Sequence, residues 1–552
     1  MIRFTSAPTQ DRSSPNTHYR PDRPGKSVGS HGTTGRSRTA PALAAALILS
    51  ACGSDAVDLS EGFYGTVAVE EPRAALLARD VLVEGGSAAD AAVTAFFALT
   101  ATLPSSVGVT AAGSCVVHDP ESKSVQRLDF LPQASSATGN ATTLPLAPRA
   151  MFALHARHGR KPLGELIILG ERIARFGAPV SRAFADELAK DGRGLASDRT
   201  ASALYWPGGQ PVAQGVELAQ VELAATLARL RSEGVGTLYS GGLSRAFIDG
   251  TAAAGFDVDP ERLRTALPIW RPVTDIEHDN HFWGIAAPTR RDIRLGEAAL
   301  GMILQEGGWT TTDADERAHL LAEALSRATS IATTDTPMTP DALETAMAGF
   351  DPARRARTAP APQLAATLGT DAGRRAGATA FFAVDRSGLA VGCAVGLGAP
   401  FGTGKLIQGL GSFVAPLQGE VVNGPGAFSL VVGNVNTGQF QMAASGAGGR
   451  RALSAVLGTT LDHWVRQIPI PDVPAIPRSH FAGGTDTLFV EQEMPADART
   501  ALERRGYRVA PAEQIGTGSA FRCIEGLPRR EIQCGVADDP RSRGLMFYEF
   551  GG

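Results

Sequence analysis

The stretch from Thr66 to His118 constrains the fold more than any other part of this 552-residue chain. Thr66-Val67-Ala68-Val69 reads as a strand. Pro72 opens a helix, in the first turn where a missing N–H costs little, and Gly85-Gly86 ends it. Ser87-Ala-Ala-Asp90 is a capping box that starts a second helix, Ala91 to about Thr102. A turn at Pro104–Gly108 leads to a strand at Ser114–His118. The order is strand, helix, Gly-Gly, helix, turn, strand. Residues 150–350 then read as amphipathic helices with short turns, and residues 378–450 as strand-turn-strand.

The first 52 residues are of another kind. Residues 1–39 are rich in Ser, Thr, Pro, Gly and Arg, and hold seven basic residues against two acids. Such a segment buries too little apolar surface to fold. Arg36-Ser-Arg38 precedes the apolar run Ala40–Ala51 and then Cys52. The run is too short for a bilayer, which needs ~20 residues, and reads as an export signal. Leu49-Ser50-Ala51-Cys52 resembles the bacterial lipobox, which predicts acylation of Cys52 and a membrane tether without a spanning helix. Gly53 in place of Asp resembles lipoproteins sorted to the outer membrane. The expected location is therefore periplasmic and lipid-anchored. The net charge of -4 provides no basic field, so nucleic acid is not an implied partner.

An oxidising compartment permits disulfides. Cys523 and Cys534 flank two short strands around a Gly-Leu-Pro turn, and a bridge is expected across that hairpin. Cys115 and Cys393 sit in apolar strand-like runs and are expected as buried thiols. The Cys/His spacing does not suit zinc. His118, His319 and the pair His278/His281 give no helical metal pair, and the last two fall in a polar turn. Gly25-Lys26-Ser27 lacks the upstream glycine of a phosphate loop, and there is no Gly-x-Ser-x-Gly elbow. Neither a metal nor a cofactor is expected.

Several motifs occur in a telling order. Pro72…Gly85-Gly86-Ser87-Ala-Ala-Asp90 comes first, then Gly159-Arg-Lys-Pro-Leu163 and Ile173-Ala-Arg-Phe-Gly177-Ala-Pro179. His319-Leu-Leu-Ala-Glu323-Ala324 follows, then Gly377-Ala-Thr-Ala-Phe-Phe-Ala-Val-Asp385 and Phe401-Gly-Thr-Gly404. Ser445-Gly-Ala-Gly-Gly-Arg450 and Asp539-Pro-Arg541 close the series. Together they resemble the γ-glutamyltransferase family of N-terminal-nucleophile hydrolases, over roughly residues 62–550. The resemblance implies an α+β fold, a four-layer αββα sandwich. It divides the chain into a leader (1–52), a large-subunit-like region (53–377) and a small-subunit-like region (378–552), the last two forming one intertwined domain. The Pro-, Gly- and Arg-rich residues around 352–377 resemble the linker that precedes the family's self-cleavage point.

In that family the chain cuts itself before a threonine, whose freed amine activates its own hydroxyl to attack a γ-glutamyl carbonyl. The ungapped match places Ala378 at that position, and alanine has no hydroxyl. Thr379 is adjacent, but successive strand residues face opposite sides. The supporting threonine falls on Gly396, a nearby asparagine on Gly398, and a serine pair near Gly424 and Pro425. The arginine that grips the substrate carboxylate falls on Leu131, after Asp129-Phe130. Glu420 keeps the charge of the acid that holds the substrate amine. Gly448-Gly449 match the glycines whose N–H groups form the oxyanion hole. The expectation is a degenerate, uncut family member that binds a small γ-glutamyl-type ligand or a protein partner at the envelope. The alternative is an active γ-glutamyl hydrolase or transferase for glutathione-type substrates, using Thr379 after self-cleavage.

Overall fold

The computed structural model describes residues 63–273, 276–334, 338–356, 377–417, 426–481, 486–528 and 533–550. Cys52 and the leader, residues 357–376, Glu420, Gly424 and Pro425 lie outside the described residues.

Chain order gives the strands β1 (Phe63–Val69), β2 (Ala112–Asp119), β3 (Ser124–Phe130), β4 (Ala178–Pro179), β5 (Glu217–Leu218), β6 (Ile269–Pro272), β7 (Glu277–His278), β8 (His281–Ala286), β9 (Ala378–Asp385) and β10 (Ala390–Gly396). They continue with β11 (Leu406–Ile407), β12 (Ser412–Phe413), β13 (Ala427–Asn434), β14 (Phe440–Ala447), β15 (Ser479–Phe481), β16 (Thr487–Glu491), β17 (Arg508–Ala512), β18 (Ser519–Leu527), β19 (Cys534–Ala537) and β20 (Leu545–Phe550). One large sheet runs β20-β1-β9-β10-β2-β3-β6 and the other β19-β18-β14-β13-β8-β7. The pairings within both are antiparallel.

Alternation along the strands builds the layers. Phe381 and Ala383 of β9, with Cys115 and Val117 of β2, point into a core shared with the helices Pro72–Val83 and Ala88–Thr102. Their neighbours Ala380, Phe382 and Val384 point the other way, against Ala427, Val431 and Ala443 of the second sheet. The outer face of that sheet, through Trp283, Leu430 and Met442, packs on the helices Arg290–Glu306, Ala314–Ala332 and Arg451–Trp464. Three cores between four layers make an αββα sandwich, as the motifs imply. Ser114 bridges the sheets: its hydroxyl donates to the Ala287 carbonyl at 2.8 Å and accepts from the Ala287 N–H at 3.0 Å.

The opening residues fold as their signals demand. Pro72 stands in the first turn of its helix, and Ser87 and Asp90 cap the next one reciprocally. Two expectations need correction. The span 150–350 is not purely helical: it contributes β6, β7 and the internal strand β8, whose Phe282-Trp283-Gly-Ile-Ala286 run is short and apolar enough to pass for buried helix. Cys115 and Cys393 are not thiols but a disulfide. They stand opposite each other in the β2–β10 ladder and face the same core, so alternation brings the two sulfurs together. A second disulfide joins Cys523 and Cys534, opposite each other on β18 and β19. His278 and His281 flank a two-residue hairpin turn, Asp279-Asn280, both residues of which are left-handed. Among the described residues no helix is long and apolar enough to cross a membrane.

Candidate active site

Register collects the candidate residues at one end of the sandwich. In the first sheet Ala378 pairs with Gly396, Gly396 with Ala112, and Gly113 with Phe130. In the second sheet Ala427 pairs with Ala447, and Ser429 with Ala286. Ala378 and Ala447 pack against one interlayer core, so the two ends coincide. Around that end lie the Gly448-Gly449 loop, Leu131, Gly398 and the beginnings of the Arg290–Glu306 and Arg451–Trp464 helices.

Ala378 turns its methyl into the space between the sheets. Gly377 before it is left-handed at φ 57° and sits so close to the next turn that a Cβ would lie 2.0 Å from the Ala399 carbonyl. The Gly377 carbonyl accepts the Leu397 N–H at 2.8 Å, which extends the β9–β10 ladder past the strand end. Thr379 belongs to the opposite face. Like Phe381 it points toward the helical layer, 1% exposed, and its hydroxyl has no hydrogen-bond partner among the described residues. Gly396 fits the crowding at Ala378, because a Cβ there would lie 2.7 Å from the Ala378 Cβ.

The Gly448-Gly449 loop adopts φ 127° and 67°, and a Cβ on Gly448 would meet the Gly516 Cα at 2.7 Å. The Gly449 N–H donates to the Gly426 carbonyl at 3.3 Å. Glycine is thus required here by backbone shape, whatever the loop does chemically. A chain of buried bonds holds it. The Asp539 carboxylate accepts from the Gly518 N–H at 2.7 Å and from Arg478 at 2.8 Å. Next to Gly518, the Thr517 hydroxyl accepts the Ala447 N–H at 2.8 Å and donates to Glu70 at 2.6 Å. Arg541 of the same motif makes a two-pronged pair with Glu491, at 2.8 and 2.6 Å.

Leu131 packs its side chain against the core of the outer helices, so no guanidinium comes from that position. Asp129, two residues earlier, is held by Arg127 at 2.8 Å and Arg271 at 3.0 Å. Other polar residues gather here without having been singled out in the sequence. Thr289 caps the Arg290–Glu306 helix by accepting the Asp292 N–H, and burial pushes the Asp292 carboxyl up to about 6 against the opposing pull of Thr289, Arg291 and Arg450. The signal for this end was Thr289 followed three residues later by Asp292, directly after an apolar run.

Other motif residues are structural. One Asp90 oxygen accepts the N–H groups of Ser87, Arg160 and Lys161 at 2.9, 2.9 and 3.0 Å, which ties the first two motifs together. Asp385 accepts the Ala88 N–H at 3.1 Å, and burial raises its carboxyl above the usual range. His319 bonds the Tyr507 hydroxyl and the Asp351 carbonyl, and Glu323 accepts the Ala356 N–H at 3.0 Å. Those two fix the chain just before residue 357.

The gamma-glutamyltranspeptidase family model matches residues 74–415. Among curated proteins, the chain is 25% identical over 513 residues to the acylase ACY 1 proenzyme of Pseudomonas sp. (strain V22), covering 83% of this chain and 89% of that one. It is 23% identical over 538 residues to the glutathione hydrolase proenzyme of Escherichia coli (strain K12), covering 87% and 90%. Among solved structures, the cephalosporin acylase from Bacillus halodurans superposes with a TM-score of 0.72 at 17% identity, over 90% of this chain and 98% of that one. A family match over more than half of the chain, together with the sandwich itself, means that this chain belongs to the gamma-glutamyltranspeptidase family of N-terminal-nucleophile hydrolases.

Proposed function

We propose that this protein is a catalytically degenerate γ-glutamyltransferase-like protein that stays uncut and serves as a binding protein at the cell envelope. One observation carries the reading. The interlayer position at the start of β9 is a methyl group, Ala378, while the neighbouring hydroxyl of Thr379 is sealed beneath the helical layer on the other face. Moving Thr379 to the interlayer face needs a one-residue slip, which would flip every side chain of β9. Phe381 and Phe382 are both fully buried on their own faces, so the slip is strongly opposed. Gly396 and Leu131 support the same reading, since neither supplies a polar group. The ligand expected at this end of the sandwich is a small γ-glutamyl-type compound, with a protein partner as the other candidate. Two disulfides and the lipobox-like Cys52 support export and acyl anchoring, the outer membrane being the expected destination.

The test is the intact mass of purified protein, denatured and reduced after several days at neutral pH. A single uncut chain is expected. Two fragments with Thr379 at the new terminus would sink the proposal. They would favour the second reading, an active γ-glutamyl or acylamino hydrolase, which the enzymes among the relatives support. For the anchor, an inhibitor of lipoprotein signal peptidase should block maturation at Cys52.

A further inference from the structure

The disulfide between Cys115 and Cys393 spans 278 residues of sequence, and position 378 lies inside that span. Cys115 belongs to β2, ahead of residue 378, and Cys393 to β10, beyond it. The other disulfide closes only 11 residues, all after residue 378. Both Cys115 and Cys393 are 0% exposed in the core between the first sheet and its helices. Non-covalent continuity crosses the same junction: β9 lies between β1 and β10, and β20 pairs with β1.

We propose that the Cys115–Cys393 bridge is a covalent seam between the two parts of the chain, so that a cut anywhere between them leaves one molecule. Its formation moves two electrons and two protons from the thiols to a donor disulfide, by thiol–disulfide exchange; the donor leaves as a dithiol. The sulfurs are sealed once the sheet closes, so the bridge forms while the core is still accessible, in an oxidising compartment. In the native state reductants have no route to it. The inference rests on neither the active nor the degenerate reading, because the seam holds in both.

The experiment places a protease recognition sequence within residues 357–376 of the full chain, exported so that disulfides form, and cuts the native protein. Electrophoresis in denaturant without reductant should show one full-length species, and two fragments after reduction. Two fragments without reductant would overturn the proposal. Peptide mapping provides a second arm. Alkylation in denaturant without reductant should leave the Cys115 and Cys393 peptides joined as one crosslinked species; recovery of both as alkylated thiols would overturn it even if the insertion blocked folding. The uncut Cys115→Ala/Cys393→Ala protein should melt lower by about 5 °C, since removing a bridge that closes so long a loop releases the denatured chain.

Discussion

Replacing Thr379 by valine separates the two readings by sign. The Thr379 side chain is 1% exposed, and its hydroxyl has no hydrogen-bond partner among the described residues. A buried hydroxyl left unpaired costs about 1–3 kcal/mol. Valine has nearly the same shape, removes that cost, and buries one more methyl worth about 0.8 kcal/mol. Allowing for imperfect fit, Thr379→Val should stabilise the fold by about 1–2 kcal/mol. At about 2 cal/mol/K of unfolding entropy per residue, the folded part loses stability at ~1 kcal/mol per kelvin, so the melting temperature should rise by about 1–2 °C. Thr379→Ser keeps the hydroxyl, loses the methyl, and should fall by about 1 kcal/mol. The assay is paired thermal and urea unfolding of wild type and both variants, with intact mass recorded on each. A loss of 1 kcal/mol or more in Thr379→Val would mean that the hydroxyl is engaged. So would cleavage of the wild type that valine abolishes. Either result refutes the assignment of Thr379 to the sealed face.

Two further predictions concern the same molecule. Ala378→Thr should neither cut itself nor hydrolyse a γ-glutamyl anilide, because the new hydroxyl faces Gly396 and finds no supporting side chain there; cleavage on a mass spectrum would mean that a single atom group was all the chemistry lacked. Stability should also fall in acid. Burial lowers His118 to about 4 and His480 to about 3, so below the ordinary imidazole value of 6.5 the unfolded chain takes up protons that the folded one refuses. Asp292 acts in the opposite sense: its carboxyl is raised to about 6, so the folded chain holds a proton between about 4 and 6 that the unfolded one releases, and its contribution grows as pH falls. Taken by themselves, these two imidazoles against one carboxyl weaken the fold at pH 5 relative to pH 7 by about 2–3 kcal/mol. Urea midpoints at the two values check this, and His118→Gln should flatten part of the slope.

Much of the layering was legible because its signals are local. The capping box at Ser87–Asp90 and the Gly85-Gly86 stop depend on residues a few positions apart, and the structure keeps both. β9 was legible for the same reason, through the apolar run Ala380–Val384 shortly after a glycine. What escaped depends on partners far along the chain. The internal strand β8 is apolar from Phe282 to Ala286 because both of its faces are covered there, so it carries no alternation to read. The Cys115–Cys393 pair needed the knowledge that β2 and β10 are neighbours in one register. Asp292 and Arg450 meet only because two helices begin at the same end of one sheet. That Ala378 carries no hydroxyl and that Thr379 faces the other way could be read from sequence, but not which of the two faces lies between the sheets.

The motif residues fall into two groups, and the division follows geometry. Asp90, Asp385, His319, Glu323, Asp539 and Arg541 each satisfy backbone or side-chain groups that would otherwise be buried and unpaired. Losing any of them leaves a buried donor or acceptor without its partner, at about 1–3 kcal/mol apiece. Ala378, Gly396 and Leu131 stand where the resemblance expects a hydroxyl, a hydroxyl and a guanidinium; the first two pair at one end of the interlayer space, and Leu131 packs against the core of the outer helices. A side chain that only contacts substrate bonds nothing else in the resting fold, so its replacement by a small or apolar group costs the sandwich little. Gly448-Gly449 cannot discriminate, because their φ values and the approach of Gly516 demand glycine whether or not an oxyanion ever forms there. On the degenerate reading proposed above, the scaffold at this end of the sandwich is kept while the groups that would react there are gone, which is the pattern expected of a protein that binds without reacting.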